Sequence, residues 1–206
     1  MKTLNRIGII AIPFTFLFAG IGMLLLLKVE NAEGTFYQQI QSNEIDWLVA
    51  HIILLVSTLL ILPTALVLRS TINNEKAQIL GTIMVLVIAP SSMLLAGQYA
   101  IDFVVPLMVQ TGGDALKVHQ LLSTTPLINL LFYGIPNLVF LALMLLSIAL
   151  IWSRVLTRLP ATLLIINWLV VLIGNLVHPA FQRVAILFLA ISYMPLVLKM
   201  WRYTKD

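Results

Sequence analysis

Cysteine is absent from the 206-residue sequence. This absence excludes disulfide bonds, thiolate metal sites, iron–sulfur clusters and dithiol redox chemistry. Familiar catalytic signatures are missing as well. The sequence has no glycine-rich phosphate-binding loop, no Gly-x-Ser-x-Gly setting for a serine nucleophile and no His-Glu-x-x-His pair. Motifs therefore leave it undecided whether the protein is an enzyme.

Charged residues are also scarce. Only 10% of the chain is charged, 61% is hydrophobic and the mean hydropathy is +1.05, whereas a soluble domain carries roughly 25% charged residues. The composition indicates an integral membrane protein whose partner is the lipid bilayer. No stretch is available for a separate soluble core, so we expect one integral membrane domain over residues 1–206. The net charge of +4 follows the expected membrane topology and gives no reason to expect nucleic-acid binding.

Long apolar runs make up most of the sequence. A helix needs about 20 residues to cross ~30 Å of hydrocarbon at ~1.5 Å per residue. Spans are predicted at about 7–27, 47–68, 77–104, 126–152, 159–177 and 180–200. The first run exceeds the roughly 7–15 apolar residues of a signal peptide, so we expect it to remain as a helix. The prediction is an all-α, polytopic bundle of six kinked transmembrane helices.

The segments around the spans predict several local features. Residues 114–125 have the spacing of an amphipathic surface helix, and a short surface helix is compatible with residues 37–40. Apolar character in the third region continues to about Val109, so that helix has to tilt, bend at Pro90 or project from the membrane. Gly20 and Gly22 would let a neighbouring helix approach the first span closely.

The basic residues predict the orientation. Nine of them fall on the side that holds the N-terminus and three on the other side: Lys2, Arg6, Arg69, Lys76, Arg154, Arg158, Lys199, Arg202 and Lys205 against Lys28, Lys117 and Arg183. Cytoplasmic loops of membrane proteins carry an excess of Lys and Arg. We therefore expect a multi-pass protein of the cell membrane with both termini in the cytoplasm.

Polar residues recur at helical spacing in the second to fifth spans. The clearest sets are His51 and Thr58; Ser91, Gln98 and Asp102; Asn129, Tyr133 and Asn137; and Asn167, Gly174 and His178, with Asn175 adjacent. Such spacing keeps each set on one face, and polar faces avoid lipid, so these faces should turn inward. The first and sixth spans show no comparable stripe, and we expect them to pack at the periphery.

Ionisable residues within the spans concentrate at the outer end. An ionisable side chain in a spanning helix is costly and marks a functional site by default. We predict an outward-facing polar pocket, formed by the second, third, fourth and fifth helices, that binds a small ligand. Its predicted lining consists of His51, Gln98, Tyr99, Asp102, Asn175 and His178.

Several chemistries fit these residue types. Imidazole and carboxylate groups bind zinc, with His51, Asp102 and His178 as candidate ligands, and two histidines on different helices can hold haem b. A pocket for a small molecule or a lipid headgroup requires no such geometry. A structural pair of His51 and Asp102 would only fix helix packing. Because helices consecutive in sequence usually neighbour each other, we expect these two side chains within hydrogen-bonding or one-water distance.

The rival hypothesis is a non-catalytic membrane subunit or interaction protein. In that case the outer histidines are structural, and the first or sixth helix contacts another membrane subunit. A visible spectrum and an elemental analysis of the purified protein would separate a haem or zinc protein from a colourless, metal-free subunit.

Overall fold

The computed structural model describes residues 2–111 and 114–203. These residues form helices and short turns, without a strand. In chain order the helices are α1 (Lys2–Glu30), α2 (Phe36–Ser42), α3 (Glu44–Ser70), α4 (Glu75–Asp102), α5 (Val104–Gln110), α6 (Ala115–Thr124), α7 (Pro126–Asn129), a π-helix (Leu130–Gly134), α8 (Ile135–Trp152), α9 (Arg158–Val177) and α10 (Pro179–Tyr203).

Within the described residues, six helical segments are long and apolar enough to cross a membrane. They are α1, α3, α4 with α5, the continuous run from α7 to α8, α9 and α10. The prediction of an all-α, six-helix membrane protein is confirmed, and the helices coincide with the predicted spans to within a few residues, apart from the extension of the third. The chain is therefore a multi-pass integral membrane protein.

The third spanning helix is interrupted near the end of the bundle opposite the termini. Pro90 lies inside the continuous α4, whereas the interruption falls at Phe103, between α4 and α5. Pro106 has no N–H, so the carbonyl of Asp102 loses the donor that would continue the helix. The indole nitrogen of Trp47 donates to that carbonyl instead, at 2.9 Å. The interruption thus ties α4 to the start of α3.

The predicted peripheral position of the first and sixth spans is wrong. α1 packs between α3 and α10, and its Ile12 and Phe16 are buried, as are Leu189 and Tyr193 of α10. The prediction was based on polar stripes. The inward faces of these two helices are mainly apolar, so no such stripe marks them in the sequence. Both helices therefore contribute buried side chains to the core of the bundle.

Small residues allow α1 to approach its neighbours, as predicted. A Cβ atom at Gly20 would lie 2.7 Å from the Cα of Leu187 in α10. A Cβ at Gly22 would lie 2.6 Å from the side chain of Leu54 in α3. At Gly20 the near atoms belong to the backbone, so only glycine fits at this separation of α1 and α10, whereas at Gly22 a side chain would require Leu54 to move.

A buried hydrogen-bond network joins the last three spanning helices. Trp168 of α9 donates its indole N–H to the Ser147 hydroxyl of α8 at 3.0 Å, and Ser147 also hydrogen-bonds the phenol of Tyr193 in α10. Phe16 of α1 stacks on the Tyr193 ring at 5.0 Å between centroids. Polar groups in lipid need partners within the protein, so this network fixes how α8, α9 and α10 meet.

Short helices cover the end of the bundle opposite the termini. α2 buries Ile40 against Val29 and Trp47, with Phe36 and Val105 packed beside them. α6 begins at an Asp114 cap, whose carboxylate accepts from the Lys117 N–H at 2.9 Å. α6 coincides with the surface helix expected over residues 114–125, and α2 with the short helix at 37–40 that the sequence allowed as an alternative to a solvated loop.

Candidate functional site

A cavity of about 360 Å³ lies at the end of the bundle opposite both termini. All six spanning segments contribute to its wall. Its polar and aromatic lining comprises Glu30, Phe36, Trp47, His51, Gln98, Tyr99, Asp102, Tyr133, Asn137, Asn175, Gln182 and Arg183. This volume lies within the range of small-molecule sites, about 300–1,000 Å³.

His51 and Asp102 form a pair in the wall of this cavity. Nε2 of His51 lies 3.3 Å from Oδ2 of Asp102, which confirms the predicted proximity. The imidazole is 2% exposed and the carboxylate 28% exposed. The pair therefore presents a carboxylate to the cavity and keeps the imidazole behind it.

The hydrogen-bond partner of Nδ1 indicates which ring nitrogen of His51 carries a hydrogen. Nδ1 is 2.7 Å from the carbonyl oxygen of Trp47. A carbonyl only accepts hydrogen bonds, so Nδ1 carries a hydrogen and Nε2 is the nitrogen that faces Asp102. The Trp47 ring lies against the imidazole, with centroids 4.4 Å apart. Both ring nitrogens are engaged, and the side chain is held in one orientation.

A second ion pair lies in the same cavity, between α10 and α1. A terminal nitrogen of Arg183 is 2.5 Å from Glu30, and the other donates to the carbonyl of Met23 at 3.0 Å. A guanidinium has five N–H donors, so further donors remain for a ligand. Glu30 and Arg183 were missed from the sequence because their helices were predicted to be peripheral. The available signal was a cation inside the sixth predicted span, where charge is costly.

Neutral amides complete the polar lining. Pro136 has no N–H to continue the α-helical pattern, and the N–H of Ile135 reaches five residues back to Leu130, which makes a π-turn. At this turn the Asn137 amide donates to the carbonyl of Tyr133 at 2.5 Å. Gln182 donates to the carbonyl of Val171 at 3.0 Å, and its amide oxygen is available as an acceptor.

The structure brings together five of the six predicted site residues, namely His51, Gln98, Tyr99, Asp102 and Asn175. His178 is exposed in the link between α9 and α10. Its Nδ1 accepts the Ala180 N–H at 3.1 Å, so it caps the start of α10 and does not line the cavity.

The proposed zinc and haem b ligands are not assembled. His51, Asp102 and His178 do not converge, and the described part of the chain contains no group of three His, Cys, Asp or Glu residues able to hold a metal ion. Axial ligation of haem by His51 would require breaking its bond to Asp102 or to Trp47. The geometry therefore gives no support to these two cofactors.

The floor of the cavity is apolar and narrow. Met23, Leu95, Tyr99 and Phe140 line both the cavity and a space of about 20 Å³ beneath it. That space is close to the volume of a single water, about 10–15 Å³ by the same measure. The cavity therefore narrows to an apolar floor and is a blind pocket in this conformation.

No protein-family model, curated protein or solved structure matches the chain.

Proposed function

We propose that the protein is an integral membrane binding protein whose outer cavity takes a small ligand carrying a cationic and an anionic group. The observation that carries the proposal is the presence of Asp102 and Arg183 in one cavity. They lie on α4 and α10, which are separated in the packing order by α3 and α1.

Asp102 supports the cationic half of the ligand. Its Oδ2 faces His51 at 3.3 Å, while the carboxylate remains 28% exposed toward the cavity. An ionised carboxylate offers about four acceptor positions, so positions remain for an ammonium group. Gln98 and Asn137 add amide groups near the same wall. A primary ammonium, which has only donors, suits this set.

Arg183 supports the anionic half. Its side chain is 12% exposed, so a bond to an anion here is weakly screened by water. Hydrogen bonds between a guanidinium and a phosphate or carboxylate are strong and geometrically specific. A ligand with one charge would engage one ion pair only, whereas a zwitterion engages both.

Titration of the purified full-length protein with glycerophosphoethanolamine, a tail-free zwitterion, tests the proposal. We expect saturable binding by isothermal titration calorimetry. Arg183→Gln and Asp102→Asn should each weaken it by roughly tenfold or more, because each removes a charged hydrogen bond of about 1.5–3 kcal/mol. Ethanolamine alone and glycerol phosphate alone should bind more weakly than the zwitterion.

Arg158→Gln and Glu33→Gln are the matched controls, since both residues are exposed and neither lines the cavity. They should bind as the unmodified protein does. An absence of binding, or equal affinity in all four variants, would contradict the proposal. If a stoichiometric partner protein co-purifies and the zwitterion does not bind, the subunit hypothesis is favoured.

A further inference from the structure

A second space lies between α8 and α9, closer to the middle of the bundle. It has a volume of about 140 Å³ and is lined almost entirely by apolar side chains, among them Met144, Ile148, Ile165 and Leu169. Ile148, Ile165 and Leu169 are 40–48% exposed. We call this space the α8–α9 groove. Its exposure on helices that span the membrane means that it faces lipid.

The cavity and the groove lie along the same helix faces. On α8, Asn137 and Phe140 line the cavity, and Met144, Ile148 and Ile151 line the groove. These positions follow one another at steps of three or four residues, which keeps them on one face. On α9, Asn175 of the cavity follows Trp168 of the groove by seven residues, which again gives one face. The polar lining of the cavity and the apolar lining of the groove thus follow one another along the same faces of α8 and α9.

The contacts of α8 and α9 differ between the groove and the cavity. Trp168 bonds to Ser147 beside the groove, whereas Asn137 and Asn175, one on each helix, are both exposed and both line the cavity. Polar side chains are costly next to lipid. Their placement is explained if the cavity opens sideways between these helices.

The depth of the groove matches an acyl chain. Met144 and Ile148 follow Asn137 by seven and eleven residues, which is roughly 10 and 16 Å at ~1.5 Å per residue. Half of the hydrocarbon core is ~15 Å thick. A lipid whose headgroup occupied the cavity would therefore place the lower half of an acyl chain, toward its terminal methyl group, beside these side chains.

We propose that the ligand is a membrane lipid with a zwitterionic amine–phosphate headgroup, which enters between α8 and α9. Its ammonium would lie at Asp102, its phosphate at Arg183 and one acyl chain in the α8–α9 groove. This inference rests on the proposed function and adds the source of the ligand and its route of entry. Binding involves no covalent step.

The test compares short-chain phosphatidylethanolamine with glycerophosphoethanolamine on the full-length protein in detergent, by isothermal titration calorimetry. Leu169→Trp fills the groove. It should weaken lipid binding by roughly tenfold, as expected when about two methylenes lose their contacts, and leave the tail-free ligand within about twofold. Leu163→Trp on the same helix is the matched control, because Leu163 is 50% exposed and Leu169 48%. It lies outside the groove, so both affinities should be unchanged.

Ile165→Trp gives a second, independent block of the groove if Leu169→Trp does not fold. Equal affinity of the unmodified protein for the lipid and the tail-free ligand would overturn the lipid assignment and leave the proposed function standing. Unchanged lipid binding in the folded groove variants would overturn it in the same way. Failure of both ligands to bind the unmodified protein would overturn the proposed function itself.

Discussion

At the scale of single residues, Trp47 organises the end of the bundle that holds the cavity. Its carbonyl receives Nδ1 of His51, its ring lies against the imidazole, and its indole N–H reaches the carbonyl of Asp102. One residue therefore contacts both members of the ion pair. Trp47 holds His51 from within α3 and holds Asp102 across the interface between α3 and α4. The carboxylate of the pair therefore has a defined direction toward the cavity.

A double-mutant cycle tests the contribution of this pair to stability. His51→Ala should lower the free energy of unfolding by about 1–3 kcal/mol, because it leaves the Asp102 carboxylate without its partner. Adding Asp102→Ala should recover part of that loss, since contacting residues are non-additive. Unfolding curves in mixed micelles provide the measurement. Strictly additive losses would show that the two side chains do not interact.

At the scale of the helices, two prolines shape the cavity. Pro106 separates α4 from α5 and frees the Asp102 carbonyl for Trp47, and Pro136 follows the π-turn that carries Tyr133. At Pro106, the missing N–H leaves the carbonyl of Asp102 without its helical donor, and Trp47 satisfies it. At Pro136, the missing N–H is accompanied by the π-turn, which changes the register of the helix. Both interruptions occur beside cavity residues. The same helices are continuous through the apolar middle of the bundle.

Close helix contact at Gly20 gives a prediction with an internal control. Gly20→Ala places a methyl group 2.7 Å from the backbone of Leu187, so α1 and α10 must separate, at a cost of about 1–3 kcal/mol. Gly97→Ala meets nothing within 4 Å and should be neutral or stabilising by up to about 1 kcal/mol. Thermal unfolding in detergent distinguishes the two variants. Equal melting temperatures would contradict the packing of α1 on α10.

At the scale of the whole molecule, the bundle has a polar end and an opposite end that holds the termini. The cavity contains both ion pairs at one end, while the described part of α1 begins and that of α10 finishes at the other. The cavity is blind, and its apolar floor lies between the two ends. Which end faces the outside decides whether the proposed ligand comes from the outer or the inner leaflet.

Reporter tags test that orientation. Tags fused after Arg69 and after Arg158 should both report a cytoplasmic location, because basic residues outnumber those of the other side by nine to three. A tag in the loop before α2, for instance after Glu33, should report the opposite side. Outer labelling after Arg69 or Arg158 would reverse the orientation and place the cavity in the cytoplasmic half of the membrane.

The sequence by itself determined the class of the protein, the six spans and the pairing of His51 with Asp102. Span length and hydropathy are local properties, because a helix in lipid must satisfy its backbone within the segment. The pairing could be predicted for a related reason. The two residues lie near the ends of consecutive helices and on faces marked by polar spacing.

Only the tertiary structure decided how α1 and α10 contribute to the core and to the site. Arg183 and Glu30 are 153 residues apart, and no spacing rule relates residues on the first and last helices. The position of His178 outside the cavity is also decided by the tertiary structure, because this residue caps the start of α10. Helix faces can be read from periodicity, but the identity of the neighbour that covers an apolar face depends on how side chains and glycines fit across the interface.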